Sequence, residues 1–112
     1  MKASFLLKFH RAIEPTNHAC DRFAEKTGVE VSKQQLLTFV MSAERIMNET
    51  LLAKGYRVQF GRRKNQGMYS WYFEDEVNGN EVVYVLERVE NDDVVITTVL
   101  GRDKQSDMLR CV

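Results

Sequence analysis

The chain has 112 residues, 44% of them apolar and 29% charged, and its sixteen acids balance sixteen lysines and arginines. That length and composition suit one globular domain with a single core, and argue against a chain that depends on disulfide or metal staples. Zero formal charge argues against a protein that coats nucleic acid by bulk charge, and no apolar run approaches the ~20 residues needed to cross a bilayer.

The opening, Met1 to Phe9, is apolar with a lysine on each side of its centre and no small-residue cleavage site, which argues against a secretory signal. Ser4 to Phe9 alternates loosely, with Phe5, Leu7 and Phe9 to one side, and predicts a first strand. The lone proline, Pro15, precedes a helix with Thr16 as N-cap that runs to about Lys26 and stops at Gly28. Ala19, Cys20, Phe23 and Ala24 form its apolar face, leaving His18, Arg22 and Lys26 along one flank. Ser32 and Gln35 make a capping box for a second helix. Its stripe of Leu36, Phe39, Val40, Ala43, Ile46, Met47 and Leu51 carries the helix to Gly55. Leu37 and Met41 fall off that stripe, either packing on the first helix or meeting another protein.

From Tyr56 the period becomes strand-like. Tyr56 to Phe60 alternates, and a loop from Gly61 to Gly67 holds Arg62, Arg63 and Lys64. Met68 to Glu74 is aromatic and strand-forming, and Asn78-Gly79 is a hairpin signal. Val82 to Arg88 and Asp93 to Leu100 are the last strands. The expected fold is α+β over a single domain, 1–112, with 103–112 as a flexible polar tail. An N-terminal strand and two helices would pack on one face of a four-stranded antiparallel meander. The other face would stay partly open, showing Arg57, Gln59, Ser70 and Tyr72.

Charge is unevenly spread. Lys54, Arg57, Arg62, Arg63 and Lys64 fall in one stretch without an acid, whereas eight acids lie between Glu74 and Asp93 against Arg88 alone. Those acids are expected mainly in solubilising turns, although a dipolar molecule still presents a positive face. Glu74-Asp75-Glu76 lacks the histidine or spaced carboxylate that a metal site would need, so no metal or cofactor is expected. Cys20 and Cys111 have no metal spacing and suit free thiols in a reducing cytosol. Tyr69, Trp71 and Phe73 are expected in the core.

The chemistry-bearing pair is His18 and Arg22. Four residues apart, they share a helix face, setting an imidazole suited to acid–base work beside a permanent cation. Arg102 adds a second guanidinium just after the last strand. Taken together, His18-Ala19-Cys20-Asp21-Arg22, the Gly28/Ser32 junction, and Val95-Ile96-Thr97 with Arg102 resemble small bacterial and phage ribonucleases. The group most similar is the RegB-like one within the RelE/BrnT toxin superfamily.

That resemblance implies metal-independent cleavage of single-stranded mRNA to a 2′,3′-cyclic phosphate in the cytosol of a bacterial host. His18 would act as base or acid, and Arg22 and Arg102 would hold the phosphate. Arg57, Arg62, Arg63 and Lys64 would grip neighbouring phosphates, and Tyr72 or Trp71 would offer a ring to a base. The family uses a second histidine on the sheet side, and this chain has none after His18. Either His10 folds back to complete the pair, or an arginine, lysine or tyrosine replaces it, or catalysis is lost. The last case gives the alternative function: an inactive fold of this type that binds a host protein or nucleic acid as a small phage or bacterial modulator. A host protein or an antitoxin is the expected protein partner, and no membrane is.

Overall fold

The computed structural model describes residues 1–56, 70–89 and 93–101. In chain order these form a 3-10 helix (Ala3–Lys8), β1 (Ile13–Pro15), α1 (Asn17–Thr27), α2 (Lys33–Met41), β2 (Glu44–Arg45), α3 (Asn48–Ala53), β3 (Ser70–Val77), β4 (Asn80–Arg88) and β5 (Val94–Gly101). The sheet has five strands in the order β1-β5-β4-β3-β2 and is mixed, because β1 runs parallel to β5 while the other pairs are antiparallel. The α+β class is as expected. The four-stranded antiparallel meander is not, since a parallel edge and a two-residue opposite edge frame the β3–β4–β5 meander. Among the described residues no helix is long and apolar enough to cross a membrane.

Where local chemistry is decisive, elements fall as predicted. The Thr16 side chain accepts from the Ala19 N–H, and Gly28 ends α1 in the left-handed conformation, with φ 75°. Ser32 and Gln35 satisfy each other's backbone N–H reciprocally at the start of α2. Asn78 and Gly79 take φ 53° and 78°, the two left-handed residues of a tight hairpin whose twist matches its strands.

The first predicted strand is a 3-10 helix instead. Ala3 and Leu6 are the residues it buries, three apart as that helix requires. Phe5, Leu7 and Phe9, whose alternation suggested a strand, lie exposed. The first strand begins later, at Ile13.

The predicted helix from Ser32 to Gly55 breaks after Met41. Leu36, Val40 and Ala43 belong to a core on one face of the sheet, with Phe23, Phe73, Tyr84 and Ile96. Ile46 and Leu51 belong to a core on the opposite face, with Tyr56, Tyr72, Val83 and Val85. One straight helix cannot bury a stripe against both sides of a sheet. The chain therefore crosses at the edge strand β2 and resumes as α3, leaving Met47 exposed. In β2, Glu44 stands opposite Glu74, a like-charge pairing that is unfavourable by itself. The Met1 amino group lies 3.3 Å from Glu44 and Lys54 Nζ lies 2.7 Å from Glu74, which offsets the repulsion. Leu37 and Met41 are half-buried against the first core, the packing reading of their positions.

Helices thus cover both faces, α1 and α2 on one and α3 on the other. The expectation of an open second face showing Tyr72 is overturned, because Tyr72 is only 2% exposed. Strand expectations for Arg57 to Phe60 lie outside the described residues, as do the loop with Arg62, Arg63 and Lys64, and the tail from 103.

The β4–β5 ladder slips between Val85 and Leu86, which pair with Thr98 and Ile96 and leave Thr97 as a bulge. The extra residue puts Ile96 and Val99, three apart, into the same core. Arg11 clasps Asp93 with two hydrogen bonds of 2.9 and 2.7 Å, tying the approach to β1 to the start of β5. That contact holds the Asp93 carboxyl below the ordinary aspartate range, but both groups are open to water and the pair adds little stability.

Tyr84 faces the first core, stacks on Phe23, and donates to Asp75 Oδ2 at 2.9 Å. Burial foremost, then the carboxylate, pushes its hydroxyl well above the ordinary tyrosine range. A folded-state value above the unfolded one means the stabilisation is complete below about pH 10 and is lost as pH rises beyond it. Urea midpoints should therefore fall between neutral pH and about pH 11 more steeply in the native protein than in Tyr84→Phe. At neutral pH that variant should lose about 0.5–1.5 kcal/mol.

Candidate functional site

The candidate site is the flank of α1. Pro15 ends β1, and the Thr16 hydroxyl donates to the Ile96 carbonyl at 2.8 Å while capping the helix, which pins the first turn of α1 beside β5. Ala19, Phe23 and Thr27 point into the core, so the flank with His18, Arg22 and Lys26 follows from where the buried stripe lies. At the other end, the aliphatic stem of Lys26 lies over Gly101, where an added Cβ would be 2.5 Å from Lys26 Cδ. The helix therefore runs along β5. Since β1 pairs only with Val94 to Ile96, no described strand covers the β1 side of β5 from Thr97 to Gly101.

His18 is exposed in the first turn, and its imidazole makes no hydrogen bond or ion pair among the described residues. Arg22 is half-buried. One guanidinium NH donates to Glu25 Oε2 at 2.9 Å, while its Nε is enclosed without a hydrogen-bond partner among the described residues. Glu25 is the residue on this flank that sequence reasoning missed. The signal was present, since positions 18, 22 and 25 fall at the i, i+4, i+7 spacing of one helical stripe.

Other expected participants lie elsewhere. The His10 ring packs edge-on against Trp71 at a centroid distance of 5.2 Å, beyond the 3-10 helix rather than on α1. Trp71 itself is half-buried against the first core. Tyr72, expected to stack an RNA base, is buried on the second face beneath α3, so its ring is closed to a ligand from solvent. Arg57, Arg62, Arg63, Lys64 and Arg102 are outside the described residues. Gly101, the last described residue before Arg102, sits at the Lys26 end of α1, about 12 Å along the helix axis from His18. Cys20, a free thiol toward α2, is pushed up by burial, which leaves it protonated and a poor nucleophile.

A concavity of about 300 Å³ lies at the β2–β3–β4 edge, lined by Glu44, Lys54, Tyr56, Glu74, Glu76 and Glu81 among others. The acid-rich stretch expected mainly in solubilising turns also supplies part of a groove. Among the described residues no group of histidine, cysteine or carboxylate side chains is arranged to hold a metal ion. Compared with protein-family models, curated proteins and solved structures, the chain matches none.

Proposed function

We propose that this chain is a metal-independent endoribonuclease of the phage or toxin type, acting on single-stranded mRNA in a bacterial cytosol. The observation that carries the reading is an exposed imidazole, His18, one helical turn from a guanidinium, Arg22, on a flank that follows β5 to Gly101. Strand scission in RNA uses the 2′-hydroxyl as an internal nucleophile. It needs a proton acceptor, a proton donor for the departing 5′-oxygen, and a cation on the phosphorus oxygens. His18 serves as one proton-transfer group and Arg22 as the cation, with Arg102 as a second phosphate ligand. Arg57, Arg62, Arg63 and Lys64 contribute to binding of the flanking strand.

The Arg22–Glu25 contact does not oppose this. An exposed pair three apart on a helix is worth at most about 1 kcal/mol, and a phosphate takes the guanidinium through stronger paired hydrogen bonds. The purified chain, incubated with mixed RNA in excess chelator, should yield fragments with 2′,3′-cyclic phosphate and 5′-hydroxyl ends. Intact RNA after long incubation overturns the proposal.

A second reading keeps the fold without the chemistry: a modulator that binds a host protein. What favours it is the acid-lined groove beside Lys54 and Tyr56, which repels a phosphate backbone and suits a cationic protein surface. Capture of one host protein in the absence of RNA, weakened by Glu76→Lys and by salt, supports this reading; capture unaffected by either counts against the groove.

A further inference from the structure

We infer that Glu25 is the second acid–base group of the α1 site, taking the proton of the RNA 2′-hydroxyl while His18 protonates the leaving 5′-oxygen, with Arg22 holding the phosphate between them. The inference rests on the nuclease reading and deepens it.

The chain has no histidine beyond His18, and the His10 ring is packed edge-on against Trp71, so the partner group is sought in another residue type. A carboxylate is a competent proton acceptor toward a hydroxyl. Three properties single out Glu25. It lies on the His18–Arg22 stripe, about 10 Å along the axis from His18, with Arg22 about 6 Å along. It is exposed, with 58% of its side chain open to solvent, so it is accessible to a substrate. It already touches the cation that would bind the phosphate, at 2.9 Å.

The order along the stripe matters as much as the residue types. In-line displacement places the entering and leaving oxygens on opposite sides of phosphorus, so acid and base must approach from opposite ends with the cation between. His18, Arg22 and Glu25 have that order. In the step, the 2′-O–P bond forms as the P–O5′ bond breaks. The 2′-hydroxyl proton passes to the Glu25 carboxylate, and a proton on the His18 imidazole passes to the 5′-oxygen. The products are a cyclic phosphate and a 5′-hydroxyl, and exchange with water resets both side chains.

Among the described residues, few other ionisable groups reach this flank. β5 carries none between Val94 and Gly101. β4 turns Tyr84 toward α1, already bonded to Asp75, and α2 brings Lys33 toward Cys20, away from the stripe. On α1 itself the neighbours are Asp21 and Lys26, and Asp21 is the carboxylate to be distinguished from Glu25.

The test is single-turnover cleavage, in chelator and across pH, of an oligoribonucleotide and of a uridine 3′-(4-nitrophenyl phosphate), whose leaving group needs no proton. Glu25→Gln should slow both substrates by roughly 10²–10⁴-fold and remove the acid limb of the rate profile. Glu25→Asp should recover part of the rate, and Asp21→Asn should leave it unchanged. His18→Ala should slow the oligonucleotide but spare the nitrophenyl ester, a split that a structural role would not produce. Cleavage by Glu25→Gln at the native rate with the acid limb intact overturns the inference and leaves the nuclease reading standing. A native protein that cleaves neither substrate overturns both.

Discussion

Replacing His18 by alanine is expected to slow RNA cleavage by roughly 10²–10⁴-fold, the usual contribution of one positioned proton-transfer group, without moving the denaturation midpoint. The separation of the two readouts follows from where the residue sits. His18 is exposed in the first turn of α1 and makes no hydrogen bond or ion pair among the described residues, and the cap that secures the turn belongs to Thr16. Removing the imidazole therefore leaves the packing of Ala19 and Phe23 and the hydrogen bonds to β5 untouched. Cleavage rates on chelator-treated RNA and urea midpoints, measured on the same preparation, check the two halves. Equal rates in the variant and the native protein would remove His18 from the chemistry.

Phe23→Ala is the substitution expected to cost the most stability, about 3–5 kcal/mol. Phe23 is fully buried, its ring centroid is 5.2 Å from that of Phe39 on α2, and it stacks on Tyr84 of β4 at 6.2 Å. One side chain thus joins α1, α2 and the sheet. Truncation opens a cavity between three elements that cannot all close on it, and weakens the seat of the flank that carries His18, Arg22 and Glu25. Equilibrium urea unfolding measures the loss. A shift below about 1 kcal/mol would mean that α1 is not docked through this ring.

How far the fold was legible depends on the range over which each signal acts. Thr16 and Gly28 bound α1, Ser32 and Gln35 start α2, and Asn78-Gly79 turns the hairpin, because each rests on hydrogen bonds or backbone angles within a few residues. Of the meander strands after Gly67, the last two are recovered to within about two residues at their ends, while the first runs on three residues past Glu74 to Val77. Errors arise where periodicity stands in for a partner. Phe5, Leu7 and Phe9 alternate, yet the helix uses the spacing of Ala3 and Leu6. The apolar stripe from Leu36 to Leu51 is regular, yet its halves serve cores on opposite faces of the sheet.

The candidate site divides in the same way. That His18 and Arg22 share a helix face is contained in their spacing, and so is the place of Glu25 one turn further on. The alignment of that flank with β5 is not, because it rests on Thr16 bonding to Ile96 and on Lys26 lying over Gly101, contacts between residues about eighty positions apart. The burial of Tyr72 likewise required α3 to cross the sheet edge at β2. The amino-acid order by itself determines the helix caps, the hairpin turn and the composition of the α1 flank, since those free energies are local. Which face of the sheet each apolar residue occupies, and what lies beside the flank, only the tertiary structure decides, because burial rewards any apolar neighbour and does not specify which one.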